Sequence, residues 1–392
     1  MPPRRILHVV YSLNVGGIET WLTELAERND WTRFHLDFCY VGRAGAGFHA
    51  QRVRQLGAQV WPCRLGRDLV RFSRSFRRAL RGCAYDVVHA HLDPGLILKL
   101  AHDQGVPVRV GHYHSTLPRQ SRGLMFNLYG RWQNRWARKH ATVVLAVSEA
   151  VMDAAYQRQW RSDPRFMILP TAVDVGAIRG QSGEQARRRA RAELGLHGQE
   201  PVVGALGRMV PAKNHECWLR AAELIKRSVP QARFLVVGDG PLRAPLQRQA
   251  ARLGLSEPVI FTGLRRDVPA LLAAMDVLLS TSSWEGLPRS VLEAEAAGVP
   301  VVAGDIPAHR EALPASGVFF DGTPQAPAAA VLRVLSDRRL REDLIARQFA
   351  HVGRFDIGRI TPFLEQLYSG LPPRAAADWC SEASNRSPCP TA

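Results

Sequence analysis

VVGALGRMVPAKNHECWLRAAELI, residues 202–225, joins an apolar β-branched run to a Gly207-Arg208 turn, a polar loop carrying Lys213-Asn214, and a stretch of helical period. That succession is a strand, a connection and a helix, the repeating half of a βαβ unit. It recurs toward the carboxyl end in ARFLVVGDG (232–240), PVIFTG (258–263), DVLLSTSS (276–283) and VPVVAGD (299–305), each followed by a helical stretch. Toward the amino end the same alternation starts from RILHVVYS (5–12), FHLDFCYV (34–41), AQVWPC (58–63), DVVHAH (86–91), VRVGHYH (108–114) and ATVVLAVS (141–148). Alternating strands and helices build a parallel sheet, and after RFMILPTAV (165–173) the pattern pauses in a polar, basic segment, 179–200. The expectation is an α/β chain of two doubly wound, Rossmann-like domains, 1–178 and 179–355, facing across a cleft. A helix at 356–371 returns to the first domain, and the aperiodic tail 372–392 is read as disordered. Ligands of such sheets lie at the carboxyl ends of the strands.

Size and composition agree with this division. The 392 residues exceed one ordinary core, and 46% hydrophobic with 22% charged residues is the composition of a packed globular protein. The balance of 52 Lys+Arg against 35 Asp+Glu leaves +17, which favours anionic partners. Cys39, Cys63, Cys83, Cys217, Cys380 and Cys389 lack the close pairing of a zinc site or disulfide framework, so a reducing compartment is expected. The opening MPPRRILHVVYSLNVGG has a short apolar run broken by His8 and reads as a first buried strand, not a leader. No run reaches the length of a membrane span. A cytoplasmic protein, peripheral at most on the inner face of a membrane, is the expected location.

In EGLPRSVLEAEAAGVPVV (285–302), Gly286 allows a tight turn and Pro288 suits the start of a helix whose free N–H groups can hold phosphate or sugar oxygens. Glu293 and Glu295 lie 200° apart around that helix and cannot share a task; Glu295 is read as solvated. Arg208 and Lys213 can converge at the end of their strand, where a planar fork and a point charge suit a diphosphate. Gly16-Gly17 occupies the same place in the first domain. His112 and His114 are read as pointing to opposite faces of an extended segment, so that one faces the cleft, and a metal pair is not expected. His89 and His91 end a strand and are read as satisfied within the sheet. No D-x-D occurs, so cations are expected to replace a metal in neutralising a leaving diphosphate. GAGFHA (45–50) fits a dinucleotide fingerprint but lies well past its strand, and there is no P-loop.

GGIE (16–19), GHYHS (111–115), AVSEAV (146–151), LPTAVD (169–174), Gly207-Arg208 with Lys213-Asn214, VVGDGP (236–241), FTG (261–263) and E-x(7)-E (285–293) running into LEAEAAG follow in order. Together they resemble the retaining nucleotide-sugar glycosyltransferases of family 4, of GT-B fold, from about residue 6 to about 370. The resemblance implies that Arg208 and Lys213 bind the donor diphosphate and Glu293 the ribose hydroxyls. Glu285, with the backbone of Gly286, Leu287 and Pro288, would hold the sugar, and the Gly263-Leu264 turn would lie by the base. His114 matches the histidine aimed at the donor sugar. Ala172 and Thr171 depart from the usual glycine and asparagine of "PNGVD", and Glu295 stands at an apolar position. The implied reaction moves a hexose from a UDP- or GDP-sugar to a hydroxyl acceptor, without cofactor or metal.

Residues 64–82 and 119–140 hold thirteen Lys+Arg against one acid, interleaved with aromatic and aliphatic residues. They read as interfacial amphipathic helices that dock on an anionic membrane, with a lipid-linked or glycan acceptor of bacterial polysaccharide or glycolipid synthesis. Nucleic acid is not expected. The rival readings are a catalytically silent sugar-nucleotide or polyanion-binding protein, and a transferase with a soluble acceptor.

Overall fold

The computed structural model describes residues 2–370 apart from 43–44, 67, 93, 117–123, 197 and 315. The tail 372–392, with Cys380 and Cys389, and part of the basic stretch from 119 lie outside the described residues. The chain divides into two compact units, one of residues 1–171 with 358–392 and one of residues 172–357.

The first unit is built on a parallel sheet of β1 (Arg4–Val10), β2 (Phe34–Tyr40), β3 (Val60–Pro62), β4 (Val87–Ala90), β5 (Val108–Tyr113), β6 (Val143–Ala146) and β7 (Phe166–Ile168), in the order β3-β2-β1-β4-β5-β6-β7. The second carries β8 (Val202–Leu206), β9 (Arg233–Val237), β10 (Val259–Gly263), β11 (Val277–Ser280), β12 (Val301–Gly304) and β13 (Gly317–Phe320), in the order β10-β9-β8-β11-β12-β13. Each strand expected from the sequence is present. Parallel strands covered on both faces read as continuous apolar runs, which is why they stood out. In the second unit Val203, Ala205, Phe234, Val236, Val277, Leu279 and Val302 pack with Trp218 and Ile225 of the helix His215–Ser228 into one core. β13 went unread: its four residues are only half-buried, at the sheet edge.

The units divide between Thr171 and Ala172, seven residues before the boundary expected at 178/179. The helix Val175–Gln181 packs against the helix Arg289–Ala296 of the second unit. The Val173 N–H donates to the Phe355 carbonyl at 3.0 Å, and the Ile357 N–H donates to the Val173 carbonyl at 2.9 Å, so the two stretches of chain at the boundary run side by side. The helix Ile357–Tyr368 belongs, from Gly358 on, to the first unit, where Glu365 pairs with Arg33 at 2.8 Å.

Among the described residues no helix is long and apolar enough to cross a membrane. The helix Leu69–Gly82 turns Phe72, Phe76, Ala79 and Leu80 inward and leaves Arg71, Arg74, Arg78 and Arg81 exposed. Those four side chains are spent on the protein's own core, while Leu69 and Val70 at the start of the helix stay exposed beside the outward arginines. The helix Leu124–His140 exposes Arg131, Arg135, Arg138 and Lys139, and the helix Pro94–Asp103 packs on both.

Candidate functional site

The order of each sheet reverses once, between β1 and β4 in the first and between β8 and β11 in the second. Loops leaving the strands on either side of such a point diverge and open a crevice. In the second unit those loops are 207–214 and 281–288, and they bring Lys213 and Glu285 together.

β8 ends at Leu206, and Gly207 takes φ +144°, a conformation that only glycine adopts readily. A Cβ there would stand 3.0 Å from Cε of Lys213, so the missing side chain is the space through which the lysine passes. A neighbouring constraint is Gly238, at φ +132° after β9, where a Cβ would run into the Gly207 carbonyl. The loop between is fixed from the β11 side. The Ser283 N–H donates to the Ala212 carbonyl at 2.8 Å, and the Thr281 hydroxyl lies 3.1 and 3.0 Å from the Lys213 and Asn214 carbonyls. Asn214, left-handed at φ +47°, caps the helix His215–Ser228. Lys213 Nζ then donates to Glu285 Oε1 at 2.6 Å, with side-chain exposures of 20% and 14%. Burial pushes the Glu285 carboxyl up, but the charge and hydrogen bond of Lys213, with Ser282 and His309, outweigh it and hold Glu285 below its ordinary value. Arg208 is solvent-exposed beside this pair in sequence.

His309, fully buried, donates from Nδ1 to the Gly304 carbonyl at 2.7 Å and has Nε2 3.0 Å from Ser280 Oγ, and burial lowers its pKa. A small pocket lined by Lys213, His215, Ser280, Thr281, Ser282 and Ser290 opens here. The sequence reading named neither Thr281, Ser282 nor His309. The polar run STSS directly after an apolar strand was their only signal.

Pro288 is the cap of the helix Arg289–Ala296, not its first residue. Gly286, Leu287 and Pro288 are buried, and Glu293 receives Arg289 Nε at 2.8 Å, while Arg289 also donates to the Ala172 carbonyl at 2.7 Å. Glu295, read as solvated, is fully buried. It accepts from the Ser316 hydroxyl and lies 3.1 Å from His351 Nδ1, and burial raises its pKa. Helical angle fixes direction, not depth, and the layer covering that direction is built by chain beyond residue 315. Gly263 ends β10, and Leu264 is exposed.

In the first unit Gly16 caps the helix Gly17–Arg28, and a Cβ on it would meet the Glu19 carboxylate. His112 and His114 do not face opposite ways: their ring centroids are 4.0 Å apart. Residues two apart on a strand share a face, which corrects that expectation. His89 and His91 stack at 4.1 Å, satisfied by other rings and not by the sheet backbone. His8 Nδ1 lies 3.0 Å from His91 Nε2, and His91 Nδ1 lies 3.0 Å from His114 Nε2. Tyr368 Oη lies 2.7 Å from His89 Nδ1, and His89 Nε2 lies 3.2 Å from His112 Nδ1. Burial first, then the neighbouring imidazoles, lowers the pKa of His89, His91 and His112, and burial alone takes His8 and His114 to about 3.

Two parallel, doubly wound sheets whose second switch point carries a half-buried Lys-Glu pair define a GT-B type α/β protein. Residues 15–176 match Glycosyltransferase Family 4 and residues 186–350 match glycosyl transferases group 1, and the chain belongs to the family 4 glycosyltransferases. It is 28% identical over 312 residues to EpsF of Bacillus subtilis (strain 168), covering 77% of this chain and 79% of that one. Over 242 residues it is 26% identical to the UDP-Gal:alpha-D-GlcNAc-diphosphoundecaprenol alpha-1,3-galactosyltransferase of Escherichia coli, 59% of this chain and 61% of that one. The fold matches that of Anabaena Alr3699/HepE in complex with UDP and glucose, with a TM-score of 0.81 at 22% identity, covering 93% and 99% of the two chains.

Proposed function

We propose that the chain is a retaining, metal-independent hexosyltransferase that moves a sugar from a UDP- or GDP-sugar to a hydroxyl of a lipid-linked or glycan acceptor, in bacterial polysaccharide or glycolipid synthesis. The observation that carries the reading is the Lys213–Glu285 pair at the switch point of the second sheet. An ammonium held by one carboxylate keeps donors for a diphosphate, and the carboxylate, kept ionised, accepts hydrogen bonds from sugar hydroxyls. Arg208 adds a second cation to the diphosphate, and Glu293 is assigned the ribose hydroxyls. Gly286, Leu287 and Pro288 border the sugar, Gly263 and Leu264 the base. Gly16 and Gly17 allow close approach of backbone, and His114 keeps the role that the family implies.

In the step itself, the bond from the anomeric carbon to the diphosphate breaks as the acceptor oxygen bonds to the same face. The acceptor's proton passes to the leaving phosphate oxygen. Lys213 and Arg208 stabilise the charge that develops there, which is the task a metal performs elsewhere. The UDP-Gal in the name of the Escherichia coli relative and the UDP bound to the Anabaena protein make a UDP-sugar the first donor to test.

The diphosphoundecaprenol in that relative's name supports a lipid-linked acceptor, and the arginine face of the helix Leu69–Gly82 supports docking on an anionic bilayer from the cytoplasmic side. Each cation near such a surface contributes on the order of 1 kcal/mol. Sedimentation with liposomes tests the acceptor's location. Binding should require anionic lipid, weaken with salt, and drop when Arg71, Arg74, Arg77 and Arg78 become glutamine. A protein that stays in the supernatant with anionic liposomes at low salt has a soluble acceptor.

A further inference from the structure

The first sheet's switch point is filled by imidazole. His8 comes from β1, His89 from β4 directly opposite it in register, and His91 from the residue after β4. His112 lies on β5 and His114 just beyond it. The glycosyl-transfer reading uses His114 alone, and nothing in it calls for four further buried histidines. We propose that His91, His112 and His114 form a binding site for a divalent transition-metal ion of the zinc class.

One ring nitrogen from each of these three residues lies within 4.8 Å of those of the other two. Nitrogens bound to one tetrahedral zinc at about 2.0–2.1 Å stand roughly 3.4 Å apart, so the rings need only small rotations to converge on an ion. His91 Nδ1 and His114 Nε2 are already 3.0 Å apart. A metal ligand must be a neutral imidazole, and burial keeps these rings neutral. The outer partners are also in place: His91 Nε2 lies 3.0 Å from His8 Nδ1, and His112 Nδ1 lies 3.2 Å from His89 Nε2, itself bonded through Nδ1 to Tyr368. Such partners orient ligand rings and set their tautomers.

Trp21 stands edge-on or tilted to all three rings, at centroid distances of 5.7–6.2 Å, and walls the group with apolar surface. A second triad, His8, His89 and His91, shares His91 but is sealed. The triad ending at His114 is preferred because His114, unlike the other four histidines of the cluster, is not fully buried as a residue. An all-nitrogen donor set selects zinc, cobalt, nickel or copper over magnesium, calcium or manganese. Coordination through His114 Nε2 leaves its Nδ1 outside the ion's shell.

Titration calorimetry on the chelator-treated full chain, with zinc chloride alone and no donor or acceptor, tests this apart from any transferase activity. A His102→Gln background removes the surface ring that lies 5.0 Å from His140. One equivalent of zinc should bind, magnesium should not, and cobalt should give the visible bands of a tetrahedral site. His114→Gln, at the rim where folding is least disturbed, and His91→Gln, checked for folding by circular dichroism, should each weaken zinc binding by upwards of about tenfold. The proposal is overturned if the wild type binds no zinc, if magnesium competes equally, or if folded His114→Gln binds as the background does. Loss in His8→Gln with retention in His114→Gln would also overturn it, by moving the ion to the sealed triad.

Discussion

Lys213 is where local sequence and distant structure meet. Its loop was legible because glycine, arginine, lysine and asparagine follow an apolar strand in one short stretch. Its partner was not, because Glu285 lies 72 residues away on the far side of the switch point. Removing the ammonium strands a carboxylate that burial pushes up, so Lys213→Ala should raise the pKa of Glu285 as well as remove a contact to the donor. A charge-assisted contact contributes about 1.5–3 kcal/mol, so kcat/KM should fall by roughly ten- to a hundredfold while circular dichroism stays that of the wild type. Gly207→Ala should reproduce much of that loss without touching a charge. It forces a side chain into φ +144° and against Cε of Lys213, and wild-type turnover in folded Gly207→Ala would contradict the assignment.

At the scale of elements, the strands announced themselves because sheets covered on both faces need unbroken apolar runs, and even β7, three residues long, lay within one. β13 did not, being short and half-exposed, and with it went the environment of Glu295. That carboxylate ties the helix Arg289–Ala296 to Ser316, just before β13, and to His351 on the helix Arg338–Val352, partners 21 and 56 residues distant. The period of its own helix carried no trace of them. Glu295→Ala would leave buried polar groups without their partner and should cost about 2–3 kcal/mol of stability, read as a lower urea midpoint. Donor binding at a temperature where the variant is folded should be unchanged; unaltered stability would return Glu295 to the surface.

For the molecule as a whole, the histidine cluster should make the first unit acid-sensitive, and burial shifts His215 and His309 of the second unit in the same direction. The unfolded chain takes up protons near the ordinary histidine value of 6.5, whereas folded His8 and His114 resist until about 3, with His89, His91 and His112 also shifted down. Their stabilisation is therefore full above 6.5 and is lost as pH falls toward the folded values, at up to about 1.4 kcal/mol per pH unit for each histidine. Urea unfolding of chelator-treated protein should show the first unit's transition moving to lower urea between about pH 7 and pH 5, and a flat profile would contradict it. Two sheets in one chain were legible from a pattern that pauses and restarts. The place of the division was not, because the helix Val175–Gln181 is assigned by what it packs on. The most direct measurement is release of nucleoside diphosphate from a panel of UDP- and GDP-sugars in EDTA, by wild type and by Lys213→Ala. Release by the wild type on one donor, reduced at least about tenfold in the variant, is the expected result; no release on any donor, or equal rates in both proteins, would contradict a metal-independent transferase working through the Lys213–Glu285 pair.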